Sequence, residues 1–398
     1  MLRHEFYLPP GPGGAPAIYF CGNSLGPQPR AAAAALDEQL ATWRERGVEG
    51  WWRGGWLDLS ARIAADLAPL LGARPEEVAV ANALTVNLHL LLASFYRPRG
   101  RRRLILMERG AFPSDQHAVI SQLRWRGLDP EDCLLELGGG DAGAVLEERG
   151  EEVALLLWGG VHYYSGEYYD LAGLAAAARA AGATVGLDLA HAVGNVPLRL
   201  HDWGVDFAVW CNYKYVNGGP GAPGGLFVHA RHAAAAELPR LAGWWGHRAE
   251  DRFLMRRDFV PERGAAGWAV STPPILGLAP LAAALPLFAR AGGMAALRAR
   301  SRELTAALYA ALADLPNLRP LTPAEPDRRG AQLSVYVPGD RPDLERQLVN
   351  RGLICDYRRD NRDGSGGGVL RLAPAPLFNT LEEVHAAVDI LAEVLAAD

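Results

Sequence analysis

The chain has 398 residues, 49% hydrophobic and 21% charged, an ordinary globular balance with length enough for one sizeable core and a smaller second one. A net charge of −5 and a pI near 6.1 give no electrostatic footprint for nucleic acid or an anionic membrane as partner. No apolar run reaches the roughly 18 residues of a membrane span, and the N-terminal MLRHEFYLPPGPGG lacks the apolar core of a signal peptide.

Four scattered cysteines, Cys21, Cys133, Cys211 and Cys355, form no CxxC pair, so neither a zinc site nor a disulfide framework is expected. A reducing cytoplasm suits them. His229 and His232 stand three apart without HExxH or an acidic cluster beside them, so no metal site is expected. No GxSxG elbow occurs, which disfavours a serine hydrolase.

In chain order, ANALTVNLHLLLASF (81–95) reads as an apolar helix with Thr85 where an N-cap would stand. Amides of the turn after it would face an anion such as a phosphate. RRLILME (102–108) is a strand, followed by FPSD (112–115), which offers an aromatic face in Phe112 and an acid in Asp115. EVALLLWGG (152–160), ATVGLDLA (183–190), DFAVWC (206–211) and GLFVH (225–229) are further strands, and LAGLAAAARAAG (171–182) is a helix ending at a C-cap glycine. Their alternation is the βαβ rhythm of an α/β fold with a mainly parallel sheet. After STPPILG (271–277) one long helix is expected over about 278–313, and a boundary falls near residue 280. The polar, glycine-rich RRDNRDGSGGG (358–368) reads as a loop.

Of forty basic side chains only one is a lysine, Lys214, in NYKYVNGGPGAPGG (212–225). An amine can shed its proton and attack a carbonyl, which a guanidinium cannot do. Ligands gather beyond the carboxyl ends of parallel strands, where Asp188, His191 and Lys214 fall. Taken alone, Asp188 is better explained as a helix N-cap on the following turn. Together, an aspartate and an imine-forming lysine on neighbouring strand ends are what pyridoxal 5'-phosphate requires: a carboxylate to keep the ring nitrogen protonated and an amine to hold the aldehyde. The loop is not a Walker A motif, so its glycines point to close backbone packing.

YFCGNSLGPQP (19–29), FPSD, GLDLAHAVGNVPLRLHDWGVDFAVWCNYKYVNGGPG (186–221), GWWGH (243–247), STPPIL (271–276) and RLAPAPLFNT (371–380) together resemble the kynureninases. That resemblance implies a fold type I pyridoxal phosphate-dependent transferase-like architecture: a large domain with a mainly parallel sheet plus a smaller C-terminal α+β domain. It implies an N-terminal segment over 1–50 contributing to the active site and small domain, a large cofactor domain over 51–280 and a small domain over 281–398. Lys214 would carry the cofactor and Asp188 would pair with its ring nitrogen. Phe112 would stack on the ring, and Leu84, Thr85, Asp115, His191 and Tyr213 would line the ring or its phosphate. Trp244 and Thr272 would reach the cofactor across a homodimer interface. Arg371 would grip a substrate α-carboxylate, with Asn23, Ser24 and Trp51 also at the substrate, and Tyr213 is either a proton donor or only a phosphate ligand. Where the family has a serine in this region, the chain has Gly159 in WGGV, which removes a hydroxyl from the expected cofactor contacts.

The implied reaction is hydrolysis of L-kynurenine, and possibly of its 3-hydroxy derivative, to the matching anthranilate and L-alanine, in tryptophan catabolism or NAD biosynthesis. Rival readings are, within the fold, a cysteine desulfurase, with Cys355 as its only candidate nucleophile, or a class V aminotransferase, and, from a different class, a non-catalytic pyridoxal phosphate binder or regulator. No basic helix-turn-helix extension accompanies the chain to favour the last.

Overall fold

The computed structural model describes residues 2–138, 140–233, 238–360 and 366–396. Seven strands build the central sheet: β1 (Val78–Val80), β2 (Leu104–Glu108), β3 (Leu134–Leu137), β4 (Val153–Gly159), β5 (Thr184–Asp188), β6 (Phe207–Trp210) and β7 (Gly225–Val228). Their order is β1-β7-β6-β5-β4-β2-β3, with β7 antiparallel to both neighbours and the remaining pairings parallel. The five strands expected from apolar runs are present, trimmed by a residue or two. The two not expected, β1 and β3, are the sheet's edges.

Successive residues of β2 feed opposite cores. Leu104 and Leu106 join a cluster with Val153, Trp158 and Leu187, whereas Ile105 and Met107 join one with Leu88, Leu155 and Val209. Both faces are dry because helices cover each, as a largely parallel sheet requires. These helices include α2 (Trp56–Leu71), α3 (Leu84–Phe95), α4 (Pro113–Trp125) and α5 (Leu171–Ala180), while α1 (Ala31–Arg46) packs outside them on the helix Ile275–Ala284.

The long helix expected over 278–313 is instead three pieces: α6 (Ile275–Ala284), one turn at Pro286–Arg290, and α7 (Gly293–Ala313). Pro286 removes a backbone donor and Gly292, at φ +90°, turns the chain left-handed, so the apolar pattern runs on while the helix does not. A second sheet follows, β8 (Arg319–Pro320), β9 (Leu333–Val337), β10 (Asp356–Asp360) and β11 (Gly367–Leu372), all antiparallel in the order β8-β9-β11-β10. With α7 and α8 (Leu381–Ala396) it encloses a third core around Leu308, Val335, Leu370 and Leu391.

The expected loop 358–368 is therefore corrected at both ends, where Arg358 pairs with Val369 and Arg359 with Gly368; residues 361–365 lie outside the described residues. The N-terminal segment is sewn to this part of the chain, Ile18–Tyr19 pairing with Leu353–Ile354 in a separate two-stranded sheet and Cys21 bridging to Ala373. Among the described residues no single helix is long and apolar enough to cross a membrane.

Candidate active site

The strand order reverses between β2 and β4, and the crevice beyond strand ends at such a reversal is where open α/β sheets place ligands. A cavity of about 180 Å³ lies there. Leu84, Thr85, Phe112, Asp188, His191, Tyr213 and Lys214, drawn from four separate stretches of sequence, all line it. The Lys214 amine stands 3.0 Å from Nε2 of His191 and 5.9 Å from the centroid of the Phe112 ring.

Burial pulls the Lys214 amine below its ordinary range. His191 is held well below the usual imidazole value by burial first and by the charge of Lys214 second, so it stays neutral beside the amine. Asp188 ends β5 and its Oδ1 accepts from the amide of Ala190, which fixes the carboxylate's orientation at the cavity. Asp115, buried at the start of α4, hydrogen-bonds to Asp188; burial and then the Asp188 charge raise its carboxyl well above the usual range. Two carboxylates this close repel each other, which favours the protonated form of Asp115.

Thr85 is not the N-cap of α3. Ala83 holds that place with no side-chain cap, Thr85 sits in the first turn, and its hydroxyl hydrogen-bonds to that of Ser114 at 2.7 Å. The first amides of α3 are thus left for an anion at the cavity's edge. Gly224 makes this possible, because a Cβ there would lie 3.0 Å from the Leu84 nitrogen. Gly26 of the N-terminal motif is equally confined: its amide donates to the Tyr213 carbonyl, and a Cβ would lie 2.5 Å from the Lys214 carbonyl oxygen.

This donor set fits pyridoxal phosphate. His191 Nδ1 and Asp115 Oδ1 are buried without a hydrogen-bond partner among the described residues, and α3 is uncapped. The amine, the acid and the anion site surround one space.

Other expected residues lie outside this cavity. Arg371 is buried behind it on β11, bonded to Asp356 and to the Tyr163 carbonyl. Asn23 donates to Gln332, and its own amide oxygen is left unpartnered; Ser24 is exposed. Trp51 packs between Trp56 and Trp245 at 5.5 Å from each ring. Trp244 is exposed against Phe253, and Thr272 lines a second cavity beside Trp245. The folded single chain does not bring Trp51, Trp244 or Thr272 to Lys214.

A profile described as Kynureninase C-terminal domain matches residues 297–391. A kynureninase of Xanthomonas oryzae pv. oryzae is 50% identical, covering 96% of this chain and 92% of the relative. One from Myxococcus xanthus is 48% identical, covering 98% and 92%. The chain belongs to the kynureninase family. Solved structures with the same fold include a cysteine desulfurase from Thermococcus onnurineus (TM-score 0.79, 19% identity, 96% of this chain and 95% of that one). A cystine C-S lyase in complex with cysteine persulfide gives 0.81 at 19%, over 96% and 99%. At such identities these show the architecture alone. The desulfurase reading also loses its nucleophile: Cys355 is fully buried in the third core, and burial pushes its thiol well above the ordinary range.

Several lining residues of this kynureninase family member went unmarked in the sequence, Glu108, Ser114, Tyr163 and Cys211, and Gly159, noted only for a missing hydroxyl, lines the cavity as well. Glu108 carried the same signal as Asp188, an acid closing an apolar strand. It explains Gly159, since a Cβ there would lie 2.4 Å from Glu108 Oε1. The space of the missing side chain is filled by a carboxyl that bonds to Tyr169 and the Gly159 amide and leaves Oε2 unpartnered.

Burial first, and then the Asp188 charge, raise Glu108 from 4.5 to about 8. Between those values the unfolded chain releases this proton and the fold retains it, so the apoprotein loses stability as pH rises through the window. Glu108→Gln is therefore expected to raise the apoprotein's unfolding free energy relative to the parent, the gain growing from pH 5 to pH 8 toward roughly 4 kcal/mol. Urea unfolding at several pH values measures it, and a gain independent of pH would show that Glu108 does not titrate in this window.

Proposed function

We propose that the chain hydrolyses the Cβ–Cγ bond of L-kynurenine, water's oxygen going to the aryl carbonyl carbon as anthranilate is released and Cβ gaining a proton as L-alanine forms. The observation that carries this is a family likeness near 50% over almost the whole chain, with the family's motifs converging on one buried lysine. When bound, pyridoxal phosphate supplies an electron sink conjugated to the substrate's α-nitrogen.

The chain's own groups do the rest. Lys214 would hold the cofactor through its aldehyde and, when free, would take the α-proton on Nζ; its depressed pKa suits it to that role. Asp188 would keep the ring nitrogen charged, the uncapped α3 amides with Thr85 and Ser114 would hold the phosphate, and Phe112 at the cavity would cover the ring. Arg371 takes the α-carboxylate, with Asn23 and Ser24 beside it. Tyr213, whose hydroxyl is held protonated by burial and by its bond to Cys211, gives a proton to Cβ.

A homodimer completes the site, with Trp244, Thr272 and Trp51 meeting the partner's cavity. Exposed Trp43, Trp52, Trp244, Phe253, Leu254 and Met255 support that reading. The chain divides into 1–50, 51–280 and 281–398, works in the cytoplasm, and serves tryptophan catabolism or NAD biosynthesis. Purified protein with pyridoxal phosphate should release fluorescent anthranilate and equimolar alanine from L-kynurenine, faster than it uses 3-hydroxy-L-kynurenine. Alanine and sulfur released from L-cysteine, with no anthranilate from L-kynurenine, would overturn the assignment.

A further inference from the structure

Arg371 and Asp356 face each other directly across the antiparallel β10–β11 pair. Arg371 is 2% exposed, and its Nε donates to Asp356 Oδ2 at 2.6 Å while Nη1 donates to the Tyr163 carbonyl at 2.8 Å. A guanidinium has five N–H groups in a fixed plane. Asp356 takes the one on Nε and Tyr163 takes one on Nη1, so the side-on Nε–Nη2 fork is blocked. One N–H of Nη1 and both of Nη2 remain, and no hydrogen bond among the described residues uses Nη2. What is left is the end-on fork, two parallel donors matched to a carboxylate.

Arg358 also holds Asp356, its Nε donating at 3.0 Å to the same Oδ2 and its Nη2 at 3.4 Å to Oδ1. Burial of Asp356 pushes its carboxyl upward, but the two arginines more than offset this and it lies below the usual range. Two arginines and one aspartate leave one net positive charge, the complement of one incoming carboxylate. Tyr163 ties this group to the cavity, since it lines that space and packs edge-on against Phe112 at 5.2 Å.

We propose that Asp356 is a positioning residue for substrate recognition: it fixes the plane of Arg371 so that only the Nη1–Nη2 edge is presented to a substrate's α-carboxylate. The inference rests on the reading that Arg371 binds that carboxylate. A purely structural ion pair tying β10 to β11 would affect every ligand alike, which separates the two roles.

The test is calorimetric titration of the holoenzyme with two ligands that lack the α-amine and so do not react with the cofactor. One is 4-(2-aminophenyl)-4-oxobutanoate, which keeps the carboxylate; the other is 1-(2-aminophenyl)propan-1-one, which does not. Asp356→Asn is expected to weaken the first about tenfold or more and the second less than about twofold. Asp356→Glu, which keeps the charge, should recover part of the loss, and for L-kynurenine the KM of the Asn variant should rise by more than its kcat falls. If Arg371→Met discriminates between the ligands but Asp356→Asn weakens both equally or neither, the positioning role is overturned. If Arg371→Met itself does not discriminate, the carboxylate assignment fails and this proposal falls with it.

Discussion

Replacing Lys214 with arginine is expected to lower kcat for L-kynurenine by at least about 10⁴-fold while the fold persists. The substitution preserves charge and most of the apolar stem, so a lysine kept only as a buried cation would tolerate it. Chemistry makes the difference. Burial draws the Lys214 amine down from 10.5, so the neutral form that attacks a carbonyl is available nearer neutral pH; a guanidinium stays protonated throughout. Arginine can therefore neither hold the cofactor covalently nor accept a proton from Cα. Three measurements belong together: anthranilate release, the visible absorbance of lysine-bound cofactor, and far-ultraviolet circular dichroism. Turnover within tenfold of the parent, or an unchanged visible band, would sink the assignment of Lys214.

Much of this site was legible because a parallel strand announces itself twice, by an apolar run and by the polar residue that ends it. Asp188 and Lys214 were found in that way, and the cavity places them together. Glu108 carried the same mark and was passed over, because a strand-ending acid on its own has no partner to give it meaning. Its partner is an absence: Gly159, 51 residues on, where the missing side chain makes room for a carboxyl.

Helix starts were less legible. Thr85 looked like a cap because threonine often is one, yet the helix begins a residue earlier and the hydroxyl turns to Ser114. Three-residue β1 lacks the length that makes a pattern, β3 carries Glu136 within its short apolar run, and the broken helix near Pro286 kept its apolar texture through the breaks. Trp51, Trp244 and Thr272 came from family resemblance, and no local physics in one chain draws them to Lys214. Pairings across β10 and β11 were hidden because register, not composition, sets Asp356 against Arg371.

Asp188→Asn is expected to cost roughly a thousandfold in kcat/KM without expelling the cofactor. Asparagine keeps the size and the acceptor that binds the Ala190 amide, so the turn after β5 should survive. What disappears is the negative charge at the cavity floor. Asp188 is also among the causes that hold the protons of Asp115 and Glu108, and its neutralisation should let both titrate at lower pH, though burial still opposes it. Asp115 then becomes the nearest group able to supply the lost charge, which predicts partial recovery of activity as pH rises in the variant but none in the Asp188→Asn, Asp115→Asn double variant. Steady-state kinetics from pH 6 to 9 on both proteins decide it. A loss below tenfold at pH 7 would mean that the charge at Asp188 is not what the ring nitrogen needs. Equal pH profiles in single and double variants would mean that Asp115 holds its proton for reasons of burial alone.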